Sequence, residues 1–464
     1  MIIDIESNFN NVNISYFDTA GKIKLKKIKL DKIENWVVCQ EKDIKKSDKY
    51  RNWDGKPVKK QVEKSLNKFS LYEIIKTLPK EDYDEVSALN FPQIQSIDIE
   101  TEVIDGFPKP EIAKERITCI AIAYENNTTV VLGWKPITPE QERDIYNKFA
   151  EYLKEFGDRK FKYINFADEY NMLNSFICKI LPTCSLVTGW NYSNFDWLYI
   201  TNRCKRLNIN IENASPIKKI TSRGTPYHIP MIDYMDAYQK WDRTVDVKES
   251  DRLDWVSNRI LGVNKLKYEG TLQQLYEQDY DKYVLYNAID AALVILIHSK
   301  LKTMNVPIAI ATLCNVSLYT AFKPVPLTEA LLRRGYWDND LVVADKRLEI
   351  PKGQYEGAYI MDVEPGIYLA NACFDFASLY PSVMREFNIS PDSRVGKFSN
   401  EETLEKYRQD KDFIVTDTDS VFKAKDSVLK KIMTDLYAKR RFYKDRFLVI
   451  DEKLQMLKVK KGIK

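Results

Sequence analysis

Apolar and polar residues alternate strictly from Gln95 through Ser96, Ile97, Asp98, Ile99, Glu100, Thr101 and Glu102 to Val103. This is the period of a half-buried β-strand, and on it Asp98 and Glu100 project from one face. Before this strand, residues 12–17 read as a strand ended by Asp18-Thr19-Ala20-Gly21, followed by a lysine-rich strand and a helix over about 70–78. After it, residues 118–124 and 128–134 read as strands, and about 141–156 and 168–180 as amphipathic helices. Residues 187–200 form a strand, a turn and the start of a further helix, and 280–294 read as one helix. Strands alternating with helices predict a sheet flanked by helices, with ligands at the strand ends.

Composition narrows the chemistry. At 464 residues the chain has room for two to four domains, and its 44% hydrophobic and 30% charged residues suit a globular protein. No apolar run approaches the roughly 18 residues of a membrane span, and the first residues are not a signal peptide, so a cytoplasmic protein with no membrane partner is expected. Seven cysteines without C-x-x-C spacing predict neither a disulfide framework nor a zinc site, but reduced core residues. Only two histidines are present, His228 and His298, which leaves carboxylates to carry any chemistry. Net charge is only +4, yet residues 421–464 hold 14 Lys and Arg against 5 Asp and Glu. Basic surface beside acidic sites suits a polyanionic substrate, although a solvated lysine-rich face has the same composition.

Four positions stand out as candidate ligands. Asp98 and Glu100 repel each other unless a cation lies between them, and hard oxygen ligands suit a divalent metal; a solvated strand face is the alternative. Asp196 falls at a helix start, where the dipole alone favours an acid. Asn191 and Phe195 are harder to explain by capping. Tyr286 and Asp290 lie four residues apart on one helix face. An Asp among Ile289, Ala291, Ala292 and Leu293 is partly buried and needs a counter-charge, either a metal or a Lys or Arg from elsewhere.

Read together, Asp98-x-Glu100 on a strand, Asn191-x3-Phe195-Asp196 on a turn into a helix and Tyr286-x3-Asp290 on a helix resemble the three exonuclease motifs of family B DNA polymerases. Tyr355-Glu356-Gly357-Ala358 is similar to that family's motif between exonuclease and polymerase domains. Asp375-Phe376-Ala377-Ser378-Leu379-Tyr380-Pro381-Ser382 resembles polymerase motif A, and Phe387-Asn388-Ile389-Ser390-Pro391 follows it as in tailed-phage replicative polymerases. The resemblance implies an α/β, α+β multidomain chain with a ribonuclease H-like exonuclease domain. It implies that Asp98, Glu100, Asp196 and Asp290 hold two Mg²⁺ or Mn²⁺ ions, that Tyr286 positions the attacking water, and that Asn191 and Phe195 contact a single-stranded 3′ end. It further implies that Asp375 is a ligand for the polymerase metals, that the Ser378 and Leu379 amides face the triphosphate, and that Tyr380 lies under the sugar. Arg440 and Lys444, which share a helix face, resemble the fingers residues that grip the incoming deoxynucleoside triphosphate; a solvated basic helix has the same spacing.

The pattern then breaks off. Motif B is not found, and Thr416-Asp417-Thr418-Asp419-Ser420 looks like motif C but follows Asp375 too closely, so it reads as a hairpin turn leading into the fingers. The implied organisation is an N-terminal β-rich domain over 1–90 revisited by 306–345, an exonuclease domain over 91–305, part of the palm over 346–425, and the first fingers helix over 426–464. Phe447, Leu448, Ile450, Leu454 and Leu457 give that helix an apolar face in need of a partner. The expectation is a proofreading exonuclease joined to an incomplete polymerase site, with DNA and deoxynucleoside triphosphates as ligands and a second chain supplying motifs B and C and the thumb. A freestanding 3′–5′ exonuclease and a non-catalytic nucleic-acid-binding remnant are the two other readings.

Overall fold

In the computed structural model, described residues are 2–8, 11–29, 33–38, 56–63, 74–75, 78–104, 106–242, 249–339, 341, 359, 361–362, 364–370, 372–376 and 378–460. Tyr355–Ala358, most of the helix expected over 70–78, and Cys39 lie outside them. The chain divides into two compact units, residues 1–33 with 63–327 and residues 34–62 with 328–464.

The first unit opens with an antiparallel sheet of β1 (Ile2–Asn8), β2 (Asn11–Phe17) and β3 (Ile23–Lys29). Val12, Ile14 and Tyr16 face Ile74, Ile75, Leu78 and Val86 in a small core. β4 (Ile33–Val38) pairs with β5 (Val58–Glu63), and all but the first residue of β4 and the last of β5 belong to the second unit. The larger sheet consists of β6 (Ile94–Thr101), β7 (Ile117–Tyr124), β8 (Thr128–Gly133), β9 (Lys160–Asn165) and β10 (Leu186–Thr188), in the order β10-β6-β7-β8-β9. β6, β7 and β8 form an antiparallel meander, while β9 runs parallel to β8 and β10 parallel to β6.

β6 is an interior strand, second in the sheet, and is enclosed on both faces, which corrects the half-buried strand expected from its alternation. Ile97 and Ile99 point into the main core with Phe176, Trp197, Tyr199 and Ile200. The opposite face, with Asp98 and Glu100, meets the helix Tyr280–Leu301, which packs against β6 and β7. Apolar residues surround this helix almost completely, as befits a helix buried within a core. By length and composition it is apolar enough to cross a membrane, contrary to expectation, but 78% of its most apolar window is buried in the unit.

Several helices have clear local causes. Pro139–Tyr152 begins with a capping box between Thr138 and Gln141. Leu253–Leu261 ends on Gly262, whose φ of 78° is left-handed. The helix expected over 168–180 is α-helical over Glu169–Ser175 and widens to a π turn over Phe176–Ile180.

The second unit contains the antiparallel sheet of β11 (Arg394–Lys397), β12 (Phe413–Val415) and β13 (Ser420–Lys423), with β13 central. The helices Leu379–Glu386, Glu401–Gln409 and Val428–Lys460 belong to it. Buried Asn388 joins these parts: its Nδ2 donates to the Lys423 and Lys425 carbonyls at 2.6 and 2.9 Å, and its Oδ1 accepts from the Ser427 amide at 3.1 Å. Asp392 then accepts from the Val428 amide at 3.0 Å, at the start of the long helix. The Asn388–Pro391 segment thus ties the helix after Asp375 to the base of the helix carrying Arg440 and Lys444. Of the described cysteines, Cys119, Cys184, Cys204 and Cys314 are buried as expected, whereas Cys178 is half-buried and Cys373 exposed, which corrects the core position expected of them.

Candidate active site

β10 pairs with β6 only as far as Thr188 and Ser96, because the chain turns away at Gly189. A Cβ on Gly189 would meet the Ile97 carbonyl oxygen at 2.5 Å, so the turn approaches β6 more closely than any side chain allows. The uncovered edge of β6 leaves the Ile99 amide free, and Asp196 Oδ1 accepts from it at 3.0 Å. Asp196 opens the helix Asp196–Arg206 and is buried there, tied to the strand that bears the other acids.

Carboxylate oxygens of Asp98, Glu100 and Asp290 lie within 4.8 Å of one another. Among the described residues this is the only group of three or more acids, histidines or cysteines placed closely enough to hold a metal ion. Burial pushes Asp98 up to about 7, and Asp290 adds to the shift. Burial and then Asp98 raise Glu100 and Asp196 well above the ordinary carboxylate range. Asp290 is raised by burial, while Lys265 and the Tyr286 hydroxyl act in the opposite direction. Such shifts are the cost of confining like charges away from water.

Two neighbours were not apparent from the sequence. Lys265 Nζ lies 2.5 Å from Asp290 Oδ2 and 5.0 Å from the centroid of the Tyr286 ring. Burial opposes its charge, but Asp290, Tyr286 and Asp98 outweigh that cost and raise its pKa. It is the basic counter-charge that Asp290 required, and it lies in a segment without helical or strand periodicity to mark it. Asn287 Nδ2 donates to Asp98 Oδ2 at 2.7 Å and to the Asp98 carbonyl at 3.2 Å. One ammonium cannot balance four neighbouring carboxylates. Asp290 Oδ1 is buried without a hydrogen-bond partner, so the donor set fits further cations of hard-oxygen preference.

Asn191 and Phe195 occupy the turn between β10 and the Asp196 helix. Asn191 has a left-handed φ of 59°, and its Oδ1 accepts from Asn194 Nδ2 at 3.1 Å. Phe195 is half-buried, with its ring 5.5 Å from that of Phe107, which is 78% exposed. Tyr286 packs edge-on against Tyr268.

The candidate polymerase residues are not gathered in this way. Asp375 is exposed in a stretch without regular structure, between Phe374 and Phe376. Ser378, at a left-handed φ of 56°, precedes the helix Leu379–Glu386, and Leu379 and Tyr380 are exposed on its first turn. Asp417 and Asp419 lie at the turn between β12 and β13, where the Asp419 amide donates to the Thr416 carbonyl at 3.0 Å. Arg440 and Lys444 are exposed on Val428–Lys460.

A mixed sheet with carboxylates on an interior strand and on two of its helices is a ribonuclease H-like exonuclease fold. The model of the DNA polymerase family B exonuclease domain matches residues 10–257, and that of DNA polymerase family B matches residues 320–459. The first span exceeds half of the 464 residues, and the chain belongs to family B of the DNA polymerases. The helix with Tyr286 and Asp290 falls between the two matched spans. A DNA-directed DNA polymerase of Escherichia phage RB69 is 29% identical over 344 residues, covering 69% of this chain and 37% of the relative. One of Enterobacteria phage T4 is 27% identical over 250 residues, covering 51% and 28%. A DNA polymerase of Archaeoglobus fulgidus is 23% identical over 408 residues, covering 83% and 45%. The matched region thus amounts to less than half the length of each of these relatives.

Proposed function

We propose that the chain is the exonuclease-bearing part of a family B DNA polymerase and removes nucleotides from the 3′ end of single-stranded DNA. The observation that carries this reading is the convergence of Asp98, Glu100 and Asp290 within 4.8 Å, with Asp196 fastened to the same strand. Together with Asp196 they would hold two Mg²⁺ or Mn²⁺ ions, which supply charge stabilisation to the attacking and leaving oxygens of an in-line hydrolysis. Asn287 and the Ile99 amide fix the Asp98 and Asp196 carboxylates. Tyr286, whose ring lies 5.0 Å from Lys265 Nζ, would orient the water through its hydroxyl. Phe195 offers a stacking face to a terminal base, a contact tolerant of sequence.

The finer division of the chain follows the same reading: an N-terminal domain over 1–90 with 306–345, an exonuclease domain over 91–305, partial palm over 346–425 and fingers from 426. The hydrogen bond from Asn315 to Tyr83 at 3.5 Å supports the return of the chain to the N-terminal domain. In the second unit Asp375 and the amides of Ser378 and Leu379 await the remaining parts of a polymerase site, with deoxynucleoside triphosphate between them and Arg440 and Lys444. Phe442, Phe447, Ile450 and Leu457 are 55–65% exposed on the long helix. Polymerase sequence carrying motifs B and C, in the same longer protein or a second chain, would cover them. Incubating the chain with 5′-labelled single-stranded DNA and Mg²⁺, beside an Asp98→Ala/Glu100→Ala variant, tests the nuclease. Stepwise shortening by the wild type alone is expected, and a wild type that binds DNA without shortening it sinks the proposal.

A further inference from the structure

We propose that Asp233 is a positioning residue that sets the strand-binding turn from Asn191 to Asp196, an inference that rests on the nuclease reading above. Asp233 is 2% exposed and begins the helix Tyr234–Trp241. Its Oδ1 accepts from the Asn191 amide and the Met235 amide, both at 3.0 Å, and its Oδ2 accepts from the Ser193 amide at 3.0 Å. One carboxylate therefore caps a helix and closes a turn more than forty residues earlier in the chain.

The turn needs such an anchor. Asn191 turns the chain at a left-handed φ of 59°, which Asn tolerates better than most L residues, so the hydrogen bonds around it fix the turn. The amides of Asn191 and Ser193 would otherwise lack an acceptor inside the protein. The anchor is itself rigidly mounted: the Ile232 amide donates to the Val187 carbonyl at 3.0 Å, the Tyr234 amide to the Gly189 carbonyl at 2.9 Å, and Thr188 Oγ1 to the Ile232 carbonyl at 2.6 Å. Within the turn the Phe195 amide donates to the Asn191 carbonyl at 3.1 Å and the Trp197 amide to the Tyr192 carbonyl at 2.8 Å. A shift of Asn191 and Ser193 is thereby passed directly to Phe195. Asp196 has a second tether in the Ile99 amide, so the strand-contacting residues depend on Asp233 more than the carboxylate cluster does.

Asp233→Asn isolates the Ser193 tether: an oxygen kept at Oδ1 still serves the Met235 and Asn191 amides, while an amide nitrogen faces the Ser193 N–H. In EDTA, affinity for a 5′-fluorescein oligothymidylate is expected to fall about tenfold, comparable with the loss of one stacked base. Mn²⁺ affinity by calorimetry should change less than about threefold, the cluster keeping its own tethers. Gln239→Gly weakens the same helix and gives up the bond from Gln239 Nε2 to Asp251 Oδ2 but keeps all three Asp233 bonds, and it should leave oligonucleotide affinity unchanged at a similar loss of thermal stability. If Asp233→Asn binds the oligonucleotide as wild type does, or loses no more affinity than Gln239→Gly, Asp233 is merely a helix cap and the proposal is overturned. A wild type that neither binds nor shortens DNA overturns the nuclease reading first and this proposal with it.

Discussion

The acids of β6 and the acid at Asp375 show how differently two sites of one chain can be built. Asp98 and Glu100 lie on an interior strand, covered by a helix that brings Asp290, Asn287 and Tyr286 onto them, with Lys265 as a resident cation. Every side of that site comes from residues of the first unit. Asp375 lies exposed between two exposed phenylalanines, and neither Asp417 nor Asp419 joins it in an acidic cluster. One arrangement can work within the described residues, whereas the other offers its residues without enclosing them. Enclosure also explains the raised carboxylate pKa values, because like charges become costly only where water is excluded.

The largest effect separates the two sites directly. Asp98→Ala/Glu100→Ala should reduce 3′-nucleotide release by more than about 10³-fold, whereas Asp375→Ala should leave it unchanged. Equal losses in both variants would make the sites interdependent.

Lys265→Met removes the ammonium held against Asp290. It should cost ~2 kcal/mol of folding stability at pH 8 in EDTA, measured by urea denaturation, and less with saturating Mg²⁺. No loss in EDTA would show that Lys265 is not the counter-charge.

The pH dependence is smaller and has a defined sign. Asp98 titrates at about 7 in the folded chain against 3.8 as its ordinary value, so between these values the folded state retains a proton that the unfolded state has released. Stability of the metal-free protein therefore falls as pH rises through that window. His298, which burial pushes down to about 4 from 6.5, contributes in the opposite direction between pH 4 and 6.5. Comparing wild type with Asp98→Asn isolates the carboxylate. In EDTA the variant should unfold at higher temperature than wild type at pH 8 and at the same temperature at pH 4, and the reverse order would contradict the cause given for the shift. The smallest effect belongs to the β12–β13 turn, where Asp417→Asn should change stability by less than about 0.5 kcal/mol and leave metal affinity unaltered.

Much of the first site was legible because its acids sit on elements with clear periods. Alternation put Asp98 and Glu100 on one face, and four-residue spacing put Tyr286 beside Asp290. Alternation did not say what covered each face, so an enclosed strand read as half-exposed. Lys265 lies in a segment without periodicity, and Asn287 is one polar residue in an apolar helix, so only their tertiary neighbours give them meaning. Asp233 reads locally as an ordinary helix cap, and its hold on Asn191 and Ser193 arises from strand pairing that sequence spacing does not encode. In the second unit the hairpin reading of Thr416–Ser420 came from order along the chain, since the stretch follows Asp375 too closely with no motif B between them.

The central claim, that the first unit alone builds a metal-binding nuclease site, is tested most directly by calorimetric titration of Mn²⁺ into the wild type, Asp98→Ala/Glu100→Ala and Asp375→Ala. Binding heat should disappear in the double variant and persist in Asp375→Ala. Binding that survives in the double variant and is lost with Asp375 would contradict it.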